Sequence, residues 1–110
     1  MVSKSGLFKP PRHKWLADVV CFETPKCARE AANTLIRALE RGRLRKLDIG
    51  PKRALQIVRA LNYAANRASA AAQRHNLSPK ERKELRAIHK IYRRAAEKAS
   101  KIYKEKYKQG

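Results

Sequence analysis

The side chains of this sequence whose number and spacing indicate a chemical role are those of lysine and arginine. Between Ile49 and Arg74 there is no Asp or Glu, and every charged residue is basic: Lys52, Arg53, Arg59, Arg67 and Arg74. Farther along, basic residues recur at helical spacing on one face, with only Glu97 interrupting them: Lys83, Arg86, Lys90, Arg94, Lys101, Lys104 and Lys108. Rows of this kind bind phosphate groups through charge and hydrogen bonds.

The overall charge points the same way. The 110 residues include 28 Lys and Arg against 9 Asp and Glu, for a formal net charge of +19. Such an imbalance repels itself in a compact monomer and is relieved when a polyanion binds. A solvated helix face usually mixes charges of both signs, because opposite charges at i,i+4 support it. The sequence therefore predicts an extended anionic partner.

Residues suited to catalysis or metal binding do not form a recognisable set. The acids are scattered, no Gly-rich phosphate loop follows a strand, and His13, His75 and His89 fall in three separate segments. We therefore expect no enzyme activity, no cofactor, no metal site and no small-molecule substrate. His89 is interpreted as a packing or hydrogen-bonding residue. Cys21 and Cys27 are expected to be buried thiols, with a local disulfide as the less favoured alternative.

Uncharged polar residues form a further row on the second predicted helix. They recur every three or four positions among Arg59, Arg67 and Arg74: Asn62, Asn66, Ser69 and Gln73. Such side chains can bond phosphates, ribose hydroxyls or base edges. An ordinary polar surface on an alanine-rich helix explains the row equally well, and both interpretations stay open.

Two long amphipathic helices must position these residues. Apolar residues recur at alternating spacings of three and four in both, as one face of a helix requires. They are Ile57, Leu61, Ala64, Ala68 and Ala71 in the second helix, and Leu85, Ile88, Tyr92, Ala95, Ala99 and Ile102 in the third. Alanine lets helix backbones approach closely, so the pattern predicts a tight antiparallel hairpin joined by Asn76–Ser78.

Capping signals set the ends of the helices. Thr24 and Pro25 start a first helix that ends at Gly42, with inward residues Ala28, Ala32, Leu35, Ile36 and Leu39. Ser78 and Glu81 form a capping box that starts the third helix. That helix can continue to about Tyr107, and its last turns, with Tyr103 and Tyr107, are expected to project from the bundle.

The remaining segments are shorter. Residues 1–14 are predicted to be a basic flexible arm, and Trp15–Phe22 to be one extended segment or strand with no partner strand in the chain. The connector 42–53 predicts a short helical turn. The basic residues around Gly50–Pro51 indicate a phosphate site at the start of the second helix. That helix, at about 25 residues, is too long for a helix-turn-helix DNA reader.

The predicted fold is therefore mainly α: a short N-terminal extended segment, then a three-helix bundle with a long hairpin of the second and third helices. Residues 15–110 are predicted to form a single helical nucleic-acid-binding domain. In composition and layout the chain resembles the small, very basic helical proteins of ribosomes and of archaeal or viral nucleoprotein. That resemblance identifies no individual residue.

The leading functional hypothesis is non-catalytic binding of structured RNA in a ribosome-like particle, beside other proteins of that particle and away from membranes. The alternatives are sequence-independent packaging of double-stranded DNA and an adaptor for an acidic protein. The expected location is the cytoplasm, at the ribosome or nucleoid. The predicted binding residues are Lys9, Arg12, Lys14, Arg43, Arg45, Lys46, Lys52, Arg53, Arg59, Arg67, Arg74, Lys83, Arg86, Lys90, Arg94, Lys101 and Lys104.

Overall fold

A computed structural model describes residues 19–44 and 46–107. Three helices, α1 (Pro25–Arg41), α2 (Pro51–Ala72) and α3 (Pro79–Ile102), account for most of this part of the chain. A small hairpin of β1 (Arg43–Leu44) and β2 (Leu47–Asp48) joins α1 to α2, and a π-helical turn, Tyr103–Tyr107, continues α3. The predicted arm at residues 1–14 lies outside the described residues. Within those residues, no helix is both long enough and apolar enough to span a membrane.

The predicted antiparallel hairpin of α2 and α3 is confirmed. The two helices pack along each other, and the predicted alanines of the seam are buried: Ala64, Ala68 and Ala71 on α2, and Ala95 and Ala99 on α3. Side chains this small let the two backbones lie close together. The predicted inward residues of α1 are buried as well, with Leu35 and Leu39 fully enclosed.

Helix α3 lies between the other two helices. It packs against α2 on one side and against α1 on another, whereas α1 and α2 scarcely touch. Ile88, Tyr92 and Ala99 are therefore almost completely buried. The remaining side of α3 is left to carry its basic residues.

The predicted caps are present. The Thr24 hydroxyl accepts the backbone N–H of Cys27 at 3.1 Å, and Ser78 and Glu81 form the reciprocal capping box of α3. Gly42 ends α1 in a left-handed conformation with φ of 75°, and its N–H donates to the Ala38 carbonyl at 2.8 Å. A residue with a Cβ is strained at this φ, which explains the glycine.

One local prediction is wrong, and another is confirmed in its extended form. Residues 15–18 lie outside the described part of the chain, and residues 19–22 form no strand but an extended segment whose Val19, Val20 and Phe22 pack against the core. The connector forms a β-hairpin instead of a helical turn, pairing Arg43 with Asp48 and Leu44 with Leu47. The backbone N–H of Ile49 also donates to the Gly42 carbonyl at 2.9 Å. These pairings satisfy the backbone while Leu44 and Ile49 enter the core, so the apolar spacing that suggested a helix serves a tight hairpin.

The prediction that Cys21 and Cys27 are buried thiols is also wrong. The two cysteines form a disulfide, with their Cα atoms 5.8 Å apart. The capped first turn of α1 fixes Cys27, and Tyr92 of α3 fixes Cys21. The Tyr92 hydroxyl accepts the Cys21 N–H at 2.9 Å and donates to the Cys21 carbonyl at 2.6 Å. Long-range contacts therefore bring the two sulfurs together.

The end of α3 packs against the bundle, so the prediction that it projects is wrong. Tyr107 is buried, and its hydroxyl donates to the Leu39 carbonyl at 2.6 Å. Lys106 Nζ donates to the Glu40 carbonyl at 2.5 Å. The π-helical turn widens the coil and stacks Tyr107 on Tyr103, with ring centroids 6.5 Å apart.

These contacts also set the direction of α1. Its start lies beside Tyr92 and its end beside Tyr107, so α1 runs alongside the C-terminal half of α3. The turn between α2 and α3 consequently extends past α1, at one end of a molecule measuring 46 × 30 × 23 Å. We call this region, residues 66–91, the turn end of the hairpin.

Candidate nucleic-acid interface

The basic row of α3 is exposed along its described length. Its members on α3 and on the turn that continues it are all exposed, and Arg86 lies at the edge that faces α2: Lys83, Arg86, Lys90, Arg94, Lys101 and Lys104. At about 1.5 Å per residue the row extends over roughly 30 Å. Glu97, the acid within this row, lies 3.7 Å from Arg93 Nε, and the two side chains are 69% and 61% exposed. An exposed i,i+4 pair of this kind is weak, so it leaves the row strongly positive.

The other predicted residues are distributed less evenly. Arg43, Lys46, Lys52, Arg53 and Arg59 are exposed, and Arg67 and Arg74 are half-buried. Arg67 lies over the ring of Tyr63, with its guanidinium carbon 5.9 Å from the ring centroid. Lys9, Arg12, Lys14 and Arg45 were also predicted to bind, but they lie outside the described residues.

At the start of α2, two arginines converge on Asp48. Arg53 Nη1 donates to the Asp48 carbonyl at 3.0 Å, and Arg43 Nε lies 3.9 Å from the Asp48 carboxylate. Gly50 is the N-cap residue and provides no side-chain cap. The basic residues predicted here are thus close to the helix start, with part of their charge directed at Asp48. The phosphate site at this position stays a prediction.

At the turn end, Arg82 has a structural role that the sequence analysis missed. Its Nε donates to the Ala72 carbonyl at 3.1 Å, and its Nη2 donates to the Arg74 carbonyl at 2.6 Å. Carbonyls at the end of a helix lack partners within the helix and attract cations. Arg82, in the first turn of α3, therefore caps the end of α2. A positive charge is unfavourable in the first turn of a helix, so the presence of an arginine there is the signal that could have indicated the capping role of Arg82.

His89 links the same two helices. Its Nδ1 lies 2.8 Å from the Ala65 carbonyl, and because a carbonyl only accepts, Nδ1 carries the hydrogen. The prediction of a hydrogen-bonding role is confirmed. The other ring nitrogen, Nε2, stays available to a ligand.

Two open depressions surround these residues. One, of about 500 Å³, lies between α2 and α3 and is lined by Ser69, Ala72, Gln73, Arg82, Arg86 and His89. The other, of about 630 Å³, lies on the adjoining surface and is lined by Pro79, Arg82, Lys83, Arg86, Ala87 and Lys90. Arg82 and Arg86 line both. We call the first one the turn-end pocket.

The polar row of α2 leads toward the turn-end pocket. Ser69 and Gln73 line it, and Asn62 and Asn66 lie seven residues before them, about two helical turns along the same side. Asn66 is exposed, and Asn62 Nδ2 donates to the Val58 carbonyl of its own helix at 3.1 Å. Of the polar row, Ser69 and Gln73 therefore lie beside basic residues of α3.

One acid near the turn end is engaged by the helix cap. Glu81 Oε1 accepts the Ser78 backbone N–H at 3.0 Å, and this bond, followed by the bond with the Ser78 side chain, lowers the pKa of Glu81 below its ordinary value of 4.5. Glu81 therefore stays ionised near neutral pH. It stabilises the start of α3 through the helix dipole.

No group of three or more potential metal ligands occurs within residues 19–44 and 46–107. Comparisons with protein-family models, with curated proteins and with solved structures find no match to this chain.

Proposed function

We propose that this protein binds nucleic acid through its phosphates without catalysing a reaction, and that its ligand is structured RNA in a ribosome-like particle. One observation supports the proposal most strongly. Every described member of the basic row is exposed, and the row extends over roughly 30 Å along α3 and its continuing turn. A row of cations on a rigid helix can follow a phosphate backbone.

The shape of the molecule and the polar row of α2 favour RNA. The hairpin is long and narrow, within overall dimensions of 46 × 30 × 23 Å, and this suits insertion between RNA helices. Amide and hydroxyl side chains beside the basic row can bond ribose 2′-hydroxyls, which DNA lacks. Other proteins of the particle would cover the remaining surface, and the particle would place this protein at the ribosome in the cytoplasm.

Packaging of double-stranded DNA is the second candidate. The exposed basic residues on both long helices favour it, because phosphate charge alone does not distinguish RNA from DNA. Parallel titrations with a structured RNA and a DNA duplex of equal length separate the two. Tighter binding to the RNA at equal salt is expected, whereas equal or tighter binding to DNA would favour packaging.

The salt dependence of binding tests the phosphate contacts directly. Neutralising about six phosphates gives a plot of log affinity against log salt with a slope steeper than about −5. Fluorescence anisotropy at several salt concentrations measures it. A slope near zero would contradict nucleic-acid binding and would favour an acidic protein partner.

Two triple variants with equal charge loss test which face binds. Replacing Lys90, Arg94 and Lys101 with Gln should weaken RNA binding strongly and flatten the salt slope by about three units. The matched control replaces Lys26, Arg29 and Arg37, all exposed on α1, and should change both little. Equal losses from the two triples would mean that the protein acts as a diffuse cation with no specific face.

A further inference from the structure

We propose that the turn-end pocket binds a single backbone phosphodiester of the nucleic acid in a fixed position. This inference rests on the proposed function and adds a defined subsite to it. Elsewhere on the basic row, lysine and arginine side chains point into solvent and can contact phosphates in many arrangements. At the turn end, donors from two helices surround one space.

The donors differ in type and converge from both walls. Ser69 and Gln73 of α2 line the pocket opposite Arg82, Arg86 and His89 of α3, and no acidic residue lines it. Hydroxyl, amide and guanidinium groups donate to phosphate oxygens, whereas His89, whose Nδ1 hydrogen is bonded to Ala65, donates through Nε2 only when its ring is protonated. Two guanidinium groups and no carboxylate line the pocket, so its charge favours an anionic ligand.

Arg82 and His89 are held in place before a ligand arrives. Two hydrogen bonds, from Nε to the Ala72 carbonyl and from Nη2 to the Arg74 carbonyl, hold Arg82 at the end of α2. Its third nitrogen, Nη1, takes no part in these two bonds. The Nδ1 bond to Ala65 holds the imidazole ring of His89 and directs Nε2 elsewhere. Side chains that are already ordered lose little conformational entropy on binding, so these two can act as a fixed frame.

The pocket is large enough for more than a phosphate. Its volume of about 500 Å³ lies within the ordinary range of small-molecule sites, so part of the adjoining nucleotide can enter with the phosphodiester. Arg86 also lines the neighbouring depression with Lys83 and Lys90. The next phosphates of the same strand can therefore continue onto the basic row.

A charge-matched pair of variants provides the first test. Arg86→Gln and Arg94→Gln each remove one cation from an exposed position of α3, but only Arg86 lines the pocket. Loss of a charge-assisted hydrogen bond in a fixed site weakens affinity by about tenfold or more, so Arg86→Gln should show that loss, and Arg94→Gln, which removes one solvent-exposed contact of the basic row, should show a severalfold smaller one. Equal losses would overturn the proposal.

A neutral pair excludes a purely electrostatic explanation. Ser69→Ala removes a pocket hydroxyl without changing charge, and Ser100→Ala removes one from α3 outside the pocket. Ser69→Ala should weaken RNA binding about three- to tenfold while Ser100→Ala leaves it unchanged. Alanine suits a helix interior, so both variants should fold, and circular dichroism verifies this. Unchanged affinity in Ser69→Ala would contradict the pocket.

Inorganic phosphate tests the site without RNA. In an NMR titration of the full chain at low salt, the side-chain signals of Gln73, Arg86 and His89 should shift together and saturate. Shifts spread evenly over the basic residues would overturn the pocket while a steep salt slope upheld nucleic-acid binding. A third outcome is a saturable shift at the pocket together with RNA affinity that does not depend on salt. That outcome would overturn both the phosphodiester as the ligand of the pocket and the proposed binding of nucleic acid.

Discussion

Where the hairpin lies against α1, tyrosine hydroxyls join the helices, whereas at the turn end an arginine and a histidine join them. Tyr92 and Tyr107 each bond a backbone carbonyl across the α1 side, at Cys21 and Leu39. Arg82 and His89 bond carbonyls of α2. In both regions, side chains of α3 or of the turn that continues it donate hydrogen bonds to backbone carbonyls of a neighbouring part of the chain.

The difference lies in what remains after those bonds form. Tyr92 uses its hydroxyl both as donor and as acceptor toward Cys21, so the group has no further donor. Arg82 Nη1 and His89 Nε2 take no part in those bonds, and both residues line an open pocket. The tyrosines therefore close the α1 side, while the turn end keeps polar capacity for a ligand. Stability and binding should consequently respond to substitutions in different regions.

The largest effect on stability is expected from overpacking the seam beside the turn end. Ala68 is fully buried between α2 and α3, so Ala68→Leu forces the backbones apart and should lower the free energy of unfolding by about 1–3 kcal/mol. The same movement would widen the turn-end pocket and weaken RNA binding, although no charge changes. Thermal melting and RNA titration measure the two effects.

Ala70→Leu is the matched control, because Ala70 is exposed on the same helix. Its stability should stay within about 0.5 kcal/mol of the unmodified protein. A normal melting temperature for Ala68→Leu, with a lowered one for Ala70→Leu, would show that the buried side of α2 is assigned incorrectly.

The next largest loss of stability is expected on the α1 side, where Tyr92 bonds Cys21. Tyr92→Phe leaves the N–H and carbonyl of Cys21 without their partner and should lower the free energy of unfolding by about 1–2 kcal/mol. RNA affinity should not change, because the Tyr92 hydroxyl bonds Cys21 on the α1 side and Tyr92 does not line the pocket. Tyr103→Phe, which keeps the ring stacked on Tyr107, is the control and should melt normally. Loss of RNA binding in folded Tyr92→Phe would remove the distinction between the two regions.

Tyr92 also predicts a response to alkaline pH. Burial raises its pKa above the ordinary value of 10.0, and the Cys21 bond only partly offsets that rise. The unfolded chain therefore loses this proton first. The stabilisation is complete below about pH 10 and declines as the pH rises toward the folded pKa. Urea unfolding between pH 9 and 11 should show a smaller decline in Tyr92→Phe.

A smaller loss of stability is expected from Arg82→Lys, which keeps the positive charge but removes the two simultaneous hydrogen bonds of the guanidinium group. A lysine cannot reproduce the planar geometry that bonds Ala72 and Arg74 together, so stability should fall by about 1 kcal/mol. RNA binding should also weaken, because the pocket loses its fixed guanidinium. Arg86→Lys, at an exposed position, should leave melting unchanged. Equal melting of both variants with the unmodified protein would contradict the capping role of Arg82.

The smallest effect concerns Glu81 at acid pH. Its pKa is lowered by the Ser78 hydrogen bonds, so the stabilisation that its carboxylate provides is present above about pH 4.5 and is lost as the pH falls through the folded pKa. Glu81→Gln, which is uncharged, should show less loss of stability across that range. Parallel acid unfolding curves for the two proteins would mean that the capping box does not depend on the charge.

The sequence by itself determined the helices and the hairpin. Caps at Thr24 and Ser78 and the three- and four-residue spacing of Ala64, Ala68, Ala95 and Ala99 are local signals, because they act within one or two helical turns. The same spacing placed the basic row on the exposed side of α3. No contact distant in the sequence was needed for these features.

Only the tertiary structure decided where α1 lies, that Cys21 meets Cys27, that Tyr107 packs onto α1 and that Arg82 caps α2. The Tyr92, Tyr107 and Lys106 bonds join residues 66 to 71 positions apart, and no periodicity encodes such pairs. They form because buried carbonyls and N–H groups need partners, and the side chains that approach them depend on how whole helices pack. The turn-end pocket arises in the same way, since its polar groups come from two helices that the alanine seam, Arg82 and His89 hold together.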